Sequence, residues 1–201
     1  GAMFSNDLNT PDELVYKTWV AEGLMNPMKM GSYLQTPVQA QNPDAWKNFA
    51  AFTRQCWKVY EKAGYIRGLQ YLESDQPPVT LSKVFDIMVN IFNREEWVPG
   101  SSAAVAATRA NIPGIFAEKE EGVREAEKLA GLLNVDRLGL PEDYCRDMKN
   151  LIDTIVLFAR FCRAVTVASY SVQYALESGE ELDRARASLS LLDESEAEIR
   201  Q

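Results

Sequence analysis

Residues 141–178 read PEDYCRDMKNLIDTIVLFARFCRAVTVASYSVQYALES. Within them Tyr144, Met148, Leu151, Ile155, Phe158, Cys162, Val165, Ser169, Val172 and Leu176 recur at alternating steps of four and three. That spacing is a hydrophobic seam along a helix sustained over several heptads. Ser169 is the polar member, and its hydroxyl can bond back to the backbone one turn earlier. At 1.5 Å per residue, about 38 residues make a rod of roughly 57 Å. Shorter helices must pack along a rod of that length. The regularity also admits an intermolecular coiled coil. The neighbouring segments 113–133 and 182–199 carry matching stripes, so the expectation is a seam satisfied within the chain.

Working outward, Leu140-Pro141-Glu142-Asp143 opens the rod with acid in its first turn, and Ser178-Gly179 closes it. The last helix then folds back antiparallel, with Leu182, Ala185, Leu189, Leu192 and Ile199 expected on its inner side. Its hairpin looks like a single tetratricopeptide-type helix pair, without a repeat. Upstream, Pro113 or Ile115 to Leu133 is amphipathic. Phe116, Val123, Ala126, Leu129, Ala130 and Leu133 are expected inward, and Glu118, Lys119, Glu120, Glu121, Arg124, Glu125, Glu127 and Lys128 on a solvated face. A short alanine-rich helix capped by Ser101-Ser102 precedes it. Thr80 caps a helix through Phe92.

Asn42-Pro43-Asp44 starts a helix carrying Trp46, Phe49, Thr53, Cys56, Trp57, Tyr60 and Ala63, with Phe52 and Val59 widening the stripe. Trp46 and Trp57 are expected in the core. Gly64 either ends or kinks this helix, since Tyr65, Ile66, Leu69, Tyr71 and Leu72 keep an apolar pattern. Thr10-Pro11-Asp12-Glu13 starts the first helix, with Thr as N-cap and Pro at the first helical position. Residues 26–42 form a long loop with Met30, Tyr33 and Leu34, read either as a lid over the core or as a functional segment. No strand is expected. The fold class is all-α: six to eight helices around one long helix, in a single domain over 4–201 with a possible subdivision near 99–112. Gly1-Ala2-Met3 reads as a tag scar, and the ragged ends suggest a fragment of a longer protein.

The chain of 201 residues carries 29 acidic against 21 basic side chains, a net charge of −8. Nucleic acid demands a basic face, so it is not an expected partner. No apolar run is long enough to span a membrane. Cys56, Cys145 and Cys162 are an odd, scattered set expected as buried thiols; the latter two lie about 25 Å apart along one helix.

There is no histidine. Its absence removes His-dependent nucleophilic catalysis and the imidazole zinc motifs. Phosphate-binding glycine loops are also missing, and no cofactor or metal is expected. Carboxylate chemistry remains, with Glu95 and Glu96 beside Trp97, Glu73 and Asp75 after Tyr71, and Glu13 near Tyr16 as candidates. Adjacent helical residues point about 100° apart, so Glu95 and Glu96 cannot both face one sugar; a solvated helix end is the reading they fit better. Trp97, before Pro99-Gly100, and Tyr33, in the long loop, are the candidates for an exposed stacking surface. Each also fits a plug at the edge of the core.

Ile112-Pro113-Gly114-Ile115-Phe116-Ala117-Glu118-Lys119-Glu120-Glu121-Gly122-Val123, then Glu125-Ala126-Glu127-Lys128-Leu129, Leu140-Pro141-Glu142-Asp143-Tyr144 and Phe158-Ala159-Arg160-Phe161-Cys162-Arg163-Ala164-Val165, together with the alanine- and leucine-rich closing helix, form one pattern. It resembles the helical region that follows the catalytic barrel in large bacterial glycoside hydrolases, the α-glucuronidase-like enzymes among them. The resemblance spans about residues 112–201. It implies a non-catalytic accessory module that supports a catalytic domain or binds polysaccharide, in a secreted or periplasmic protein; without it the chain reads as cytoplasmic. The family's acid and base lie on the barrel, so no catalytic residue carries over. Two other classes fit the residues: a helical scaffold for a protein partner, and a carboxylate enzyme or small-molecule binder within the bundle.

Overall fold

The structure, a computed structural model, describes residues 9–19, 45–70, 95, 98–132 and 142–200. Its elements are α1 (Asp12–Trp19), α2 (Ala45–Ala63), strands β1 (Tyr65–Ile66) and β2 (Leu69–Gln70), α3 (Ser101–Val105), α4 (Ile112–Glu127), α5 (Leu129–Leu132), α6 (Glu142–Ser178) and α7 (Leu182–Ile199). The fold is all-α, with the two-stranded hairpin as the sheet among the described residues. The expected run of the first helix on to Leu24 or Met25 and the helix expected over 81–92 lie outside those residues, as do the long loop and its Tyr33.

Contacts divide the chain into two units. One holds residues 1–56 and 128–152, the other 57–127 and 153–201. In the first, α1 begins as its sequence predicts: the Leu14 and Val15 amides donate to the Pro11 carbonyl, and Glu13 pairs with Lys17 one turn on at 2.5 Å. Arg54 reaches Asp12 at 3.6 Å and covers the Tyr16 ring, while Lys17 covers Trp46. Phe49, Ala50, Phe52, Leu129, Met148 and Ile152 are buried in this unit.

In the second unit α6 is enclosed on most sides from Cys162 to Ser171, where Ala164, Val165, Thr166, Ala168, Ser169 and Tyr170 are also buried. Small side chains allow that close approach. The polar ones are satisfied locally: Ser169 donates to the Val165 carbonyl at 2.8 Å, one turn back as expected, and Thr166 to Cys162. The Tyr170 hydroxyl donates to the Val105 carbonyl at 2.8 Å, tying α3 to α6. Burial pushes that phenol's pKa up. Arg160 bonds Glu198 on α7 at 2.6 Å and Glu127 on α4 at 3.3 Å, and Arg163 bonds Glu120 on α4. The pairing of residue 160 with residue 198 shows that α7 runs back along α6 from the turn at Gly179, whose φ of 72° is left-handed.

The heptad seam holds through the middle of α6 and fails towards its ends. Leu176 is 77% exposed and Leu151 46% exposed. A straight helix of 3.6 residues per turn drifts off a strict 3.5-residue repeat, so the buried stripe moves on to Ile152, Ala159 and Ala175. The same holds for α7, where Ala185, Ser188 and Ser195 are buried and Leu182 and Ile199 are exposed.

The hairpin corrects the expectation of no strand. Gly64 ends α2, its amide donating to the Tyr60 carbonyl at 2.7 Å. The chain then pairs Tyr65 with Gln70 and Ile66 with Leu69. Arg67 and Gly68 make the two-residue turn with φ of 53° and 78°, the double left-handed geometry of a type I′ hairpin. All three cysteines are free thiols; Cys162 is buried, Cys56 and Cys145 half-buried.

Candidate functional site

The most exposed large aromatic among the described residues is Trp57, 59% exposed on the outer face of α2. This overturns its expected place in the core. Val59 and Ala63 are buried, and Trp57 precedes Val59 by two residues, about 200° around the helix. The stripe the sequence treated as a widening is therefore the buried centre, and Trp57 points away from it. Tyr60 stands one turn on, its ring 5.9 Å from that of Trp57 at 42°. Tyr65, the first residue of β1, meets Tyr60 edge-on at 5.7 Å and 82°. Edge-to-face packing of this kind is favourable beyond the area it buries. Tyr60 thus stands between the exposed indole and Tyr65, and the three rings form a chain of contacts.

Beneath this face lies a second unexpected residue. The sequence pattern puts Lys119 on the solvated side of α4, yet it is 1% exposed. Its ammonium donates to the Lys62 carbonyl at 2.7 Å, the Ala63 carbonyl at 3.2 Å and the Tyr65 carbonyl. Those acceptors are the last carbonyls of α2 and the first of the hairpin, groups that a helix end leaves without partners. Glu118 supplies the counter-charge at 3.4 Å and also accepts the Arg67 amide at 3.2 Å. Burial pulls the Lys119 pKa down to about 8, against the pull of Glu118. The guanidinium of Arg67 occupies the space beside Gly114 that a Cβ would fill, and α4 meets the end of α2 at Gly122. A signal existed: Ile112, Ile115, Lys119, Gly122 and Ala126 step by three and four, placing Lys119 inside the apolar stripe.

Of the expected site residues, Tyr33, Glu96 and Trp97 lie outside the described residues, as do Glu73 and Asp75. Glu95 is described and exposed. Its carboxylate accepts the amides of Gly100 at 2.5 Å and Ser102 at 2.8 Å, and the Ser101 hydroxyl at 3.4 Å. These bonds, the Ser102 amide foremost, hold it well below the usual carboxylate range, at about 2. The start of α3 has no cap of its own, since Gly100 stands at the N-cap; Glu95 supplies one from outside. A carboxylate so held is an anion over the working pH range and a poor general acid. Lys17 likewise draws the Glu13 pKa down.

No group of acidic or cysteine side chains able to hold a metal ion occurs among the described residues. None of their helices is long and apolar enough to cross a membrane. Compared with protein-family models, curated proteins and solved structures, the chain gives no match.

Proposed function

We propose that this chain is a non-catalytic helical module that binds a polysaccharide by stacking a sugar ring on Trp57, in the service of a carbohydrate-active catalytic domain. The observation that carries the reading is the exposed indole backed by Tyr60, which Tyr65 meets in turn. A pyranose presents a face of C–H bonds, and a flat, rigid ring held in water offers it contact area at little cost in conformational freedom. The resemblance of residues 112–201 to helical regions of glycoside hydrolases agrees in class with such a face. The carboxylates of Glu13 and Glu95 are engaged in local structure, with Lys17 and with the start of α3.

Electrophoresis through native gels containing xylan, mannan, β-glucan or pectin tests it. At least one of the four retards the protein, and Trp57→Ala migrates as in a plain gel while keeping its helical circular dichroism. Unretarded wild type in all four gels, or equal retardation of Trp57→Ala, refutes the reading.

A protein-interaction scaffold is the second reading, favoured by Leu176 and Leu182, both exposed on either side of the Gly179 turn. It expects association of the chain with itself or a partner that Leu176→Asp abolishes. Light scattering of wild type and variant decides that case.

A further inference from the structure

We propose that Lys119 is the positioning residue of the aromatic face: by holding the carbonyls at the α2–β1 junction, its ammonium sets the angle at which Tyr65 meets Tyr60, the ring that stands against Trp57. The proposal rests on the polysaccharide-binding reading for its functional consequence, and on geometry alone for its structural one.

Tyr60 lies in the last turn of α2, and Tyr65 is the first residue past Gly64. The direction the chain takes between them decides whether their rings meet. Lys119 bonds the carbonyls of Lys62, Ala63 and Tyr65, spanning that bend from one side to the other. The hairpin is fixed a second time by its Arg67 amide on Glu118, the residue beside Lys119. Gly122 lets α4 come close enough for this: a Cβ there would stand 3.2 to 3.3 Å from the Ala63 amide nitrogen and the Lys62 backbone and Cβ. An ammonium offers three donors and no acceptor, which suits a site of converging carbonyls beside a carboxylate; an apolar residue at 119 offers no donor. An apolar core position filled by a lysine aimed at one bend is what a positioning role requires.

The groups facing this ammonium are Glu118 on its own helix, Lys62 on α2 and Cys162 on α6. Arg67 of the hairpin bonds Glu118 through its amide, and Tyr170 of α6 feels the Glu118 charge. Lys119 therefore titrates within a defined set, and its proton can be followed.

Nuclear magnetic resonance of the intact protein provides the test. In wild type the Tyr60 and Tyr65 rings give mutual nuclear Overhauser contacts, and their ring signals shift with a midpoint at about pH 8, where Lys119 loses its proton. Lys119→Arg keeps the contacts and loses that midpoint. Lys119→Met keeps its helical circular dichroism, loses the contacts, and is retarded at least tenfold less by whichever of the four polysaccharides retards wild type. If Lys119→Met does not fold, Lys119→Gln is read in its place, with the contacts weakened. Tyr60–Tyr65 contacts unchanged in a folded Lys119→Met or Lys119→Gln overturn the proposal. So does a wild type whose tyrosine signals are blind to the Lys119 titration. Trp57→Ala separates the two readings, because it abolishes retardation and leaves the Tyr60–Tyr65 contacts in place.

Discussion

An ammonium withdrawn from water carries a desolvation penalty of several kcal/mol, and it persists in a core when its donors are met. Lys119 meets that condition at the α2–β1 junction. Removing it in Lys119→Met strands the carbonyls while relieving the buried charge, so the expected loss is about 2–4 kcal/mol in urea unfolding at pH 7. The pH dependence has a definite sign. The folded chain gives up this proton at about 8, the ordinary lysine value being 10.5. Between those values the unfolded chain binds more protons than the folded one, so the Lys119 contribution makes stability rise with pH across that window and stay flat below it. Subtracting the unfolding profile of Lys119→Met, which lacks this rise, isolates it. Trp57 and Phe49 form the complementary pair. Both belong to the apolar pattern of α2, but Phe49 is buried and Trp57 exposed. Phe49→Ala is expected to cost about 3–5 kcal/mol and Trp57→Ala under about 0.5, read from the same urea midpoints.

At the scale of elements, short structures depend on single residues that complete them. Helix α3 has five residues and takes its N-terminal partner from Glu95. The Glu95 pKa lies at about 2 against an ordinary 4.5. Its support is therefore complete above pH 4.5 and lost as pH falls through 2. Glu95→Gln should remove that acid sensitivity and fray α3 at neutral pH, measured as faster amide exchange at Ser102 and Ala104. The hairpin turns on Gly68 at φ 78° with open space around it. Gly68→Ala meets no clash, so its cost is backbone strain alone, about 1 kcal/mol. These two elements were hidden in the sequence for a physical reason. Strands of two residues cannot display alternation, and the Arg67-Gly68 pair lacks the Asn-Gly or Asp-Gly signature of such turns. Glu95 carries a carboxylate that any reading for chemistry singles out, but its donors lie five to seven residues ahead, across the Pro99-Gly100 break.

For the whole molecule, the long helix was legible almost to the residue, as Glu142–Ser178 against 141–178, because acid opens it and glycine closes it. Which side faces inward was legible only where the stripe is unambiguous. Spacing ranks residues by hydrophobicity, so it drew Trp57 in and put Lys119 out, whereas the fold places each by what surrounds it. The thiol expectation is testable on the intact protein. With its cysteines free, melting temperatures with and without reductant should agree. The Lys119 cap also says something about the order of events in folding. Its carbonyl partners belong to α2 and β1, more than fifty residues earlier in the chain. A collapsing chain gains nothing by burying the ammonium until that bend exists, and loses hydration if it does so sooner. Docking of α4 at this point is therefore expected to come late, in which case Lys119→Met speeds unfolding and leaves the refolding rate nearly unchanged, as stopped-flow measurements would show.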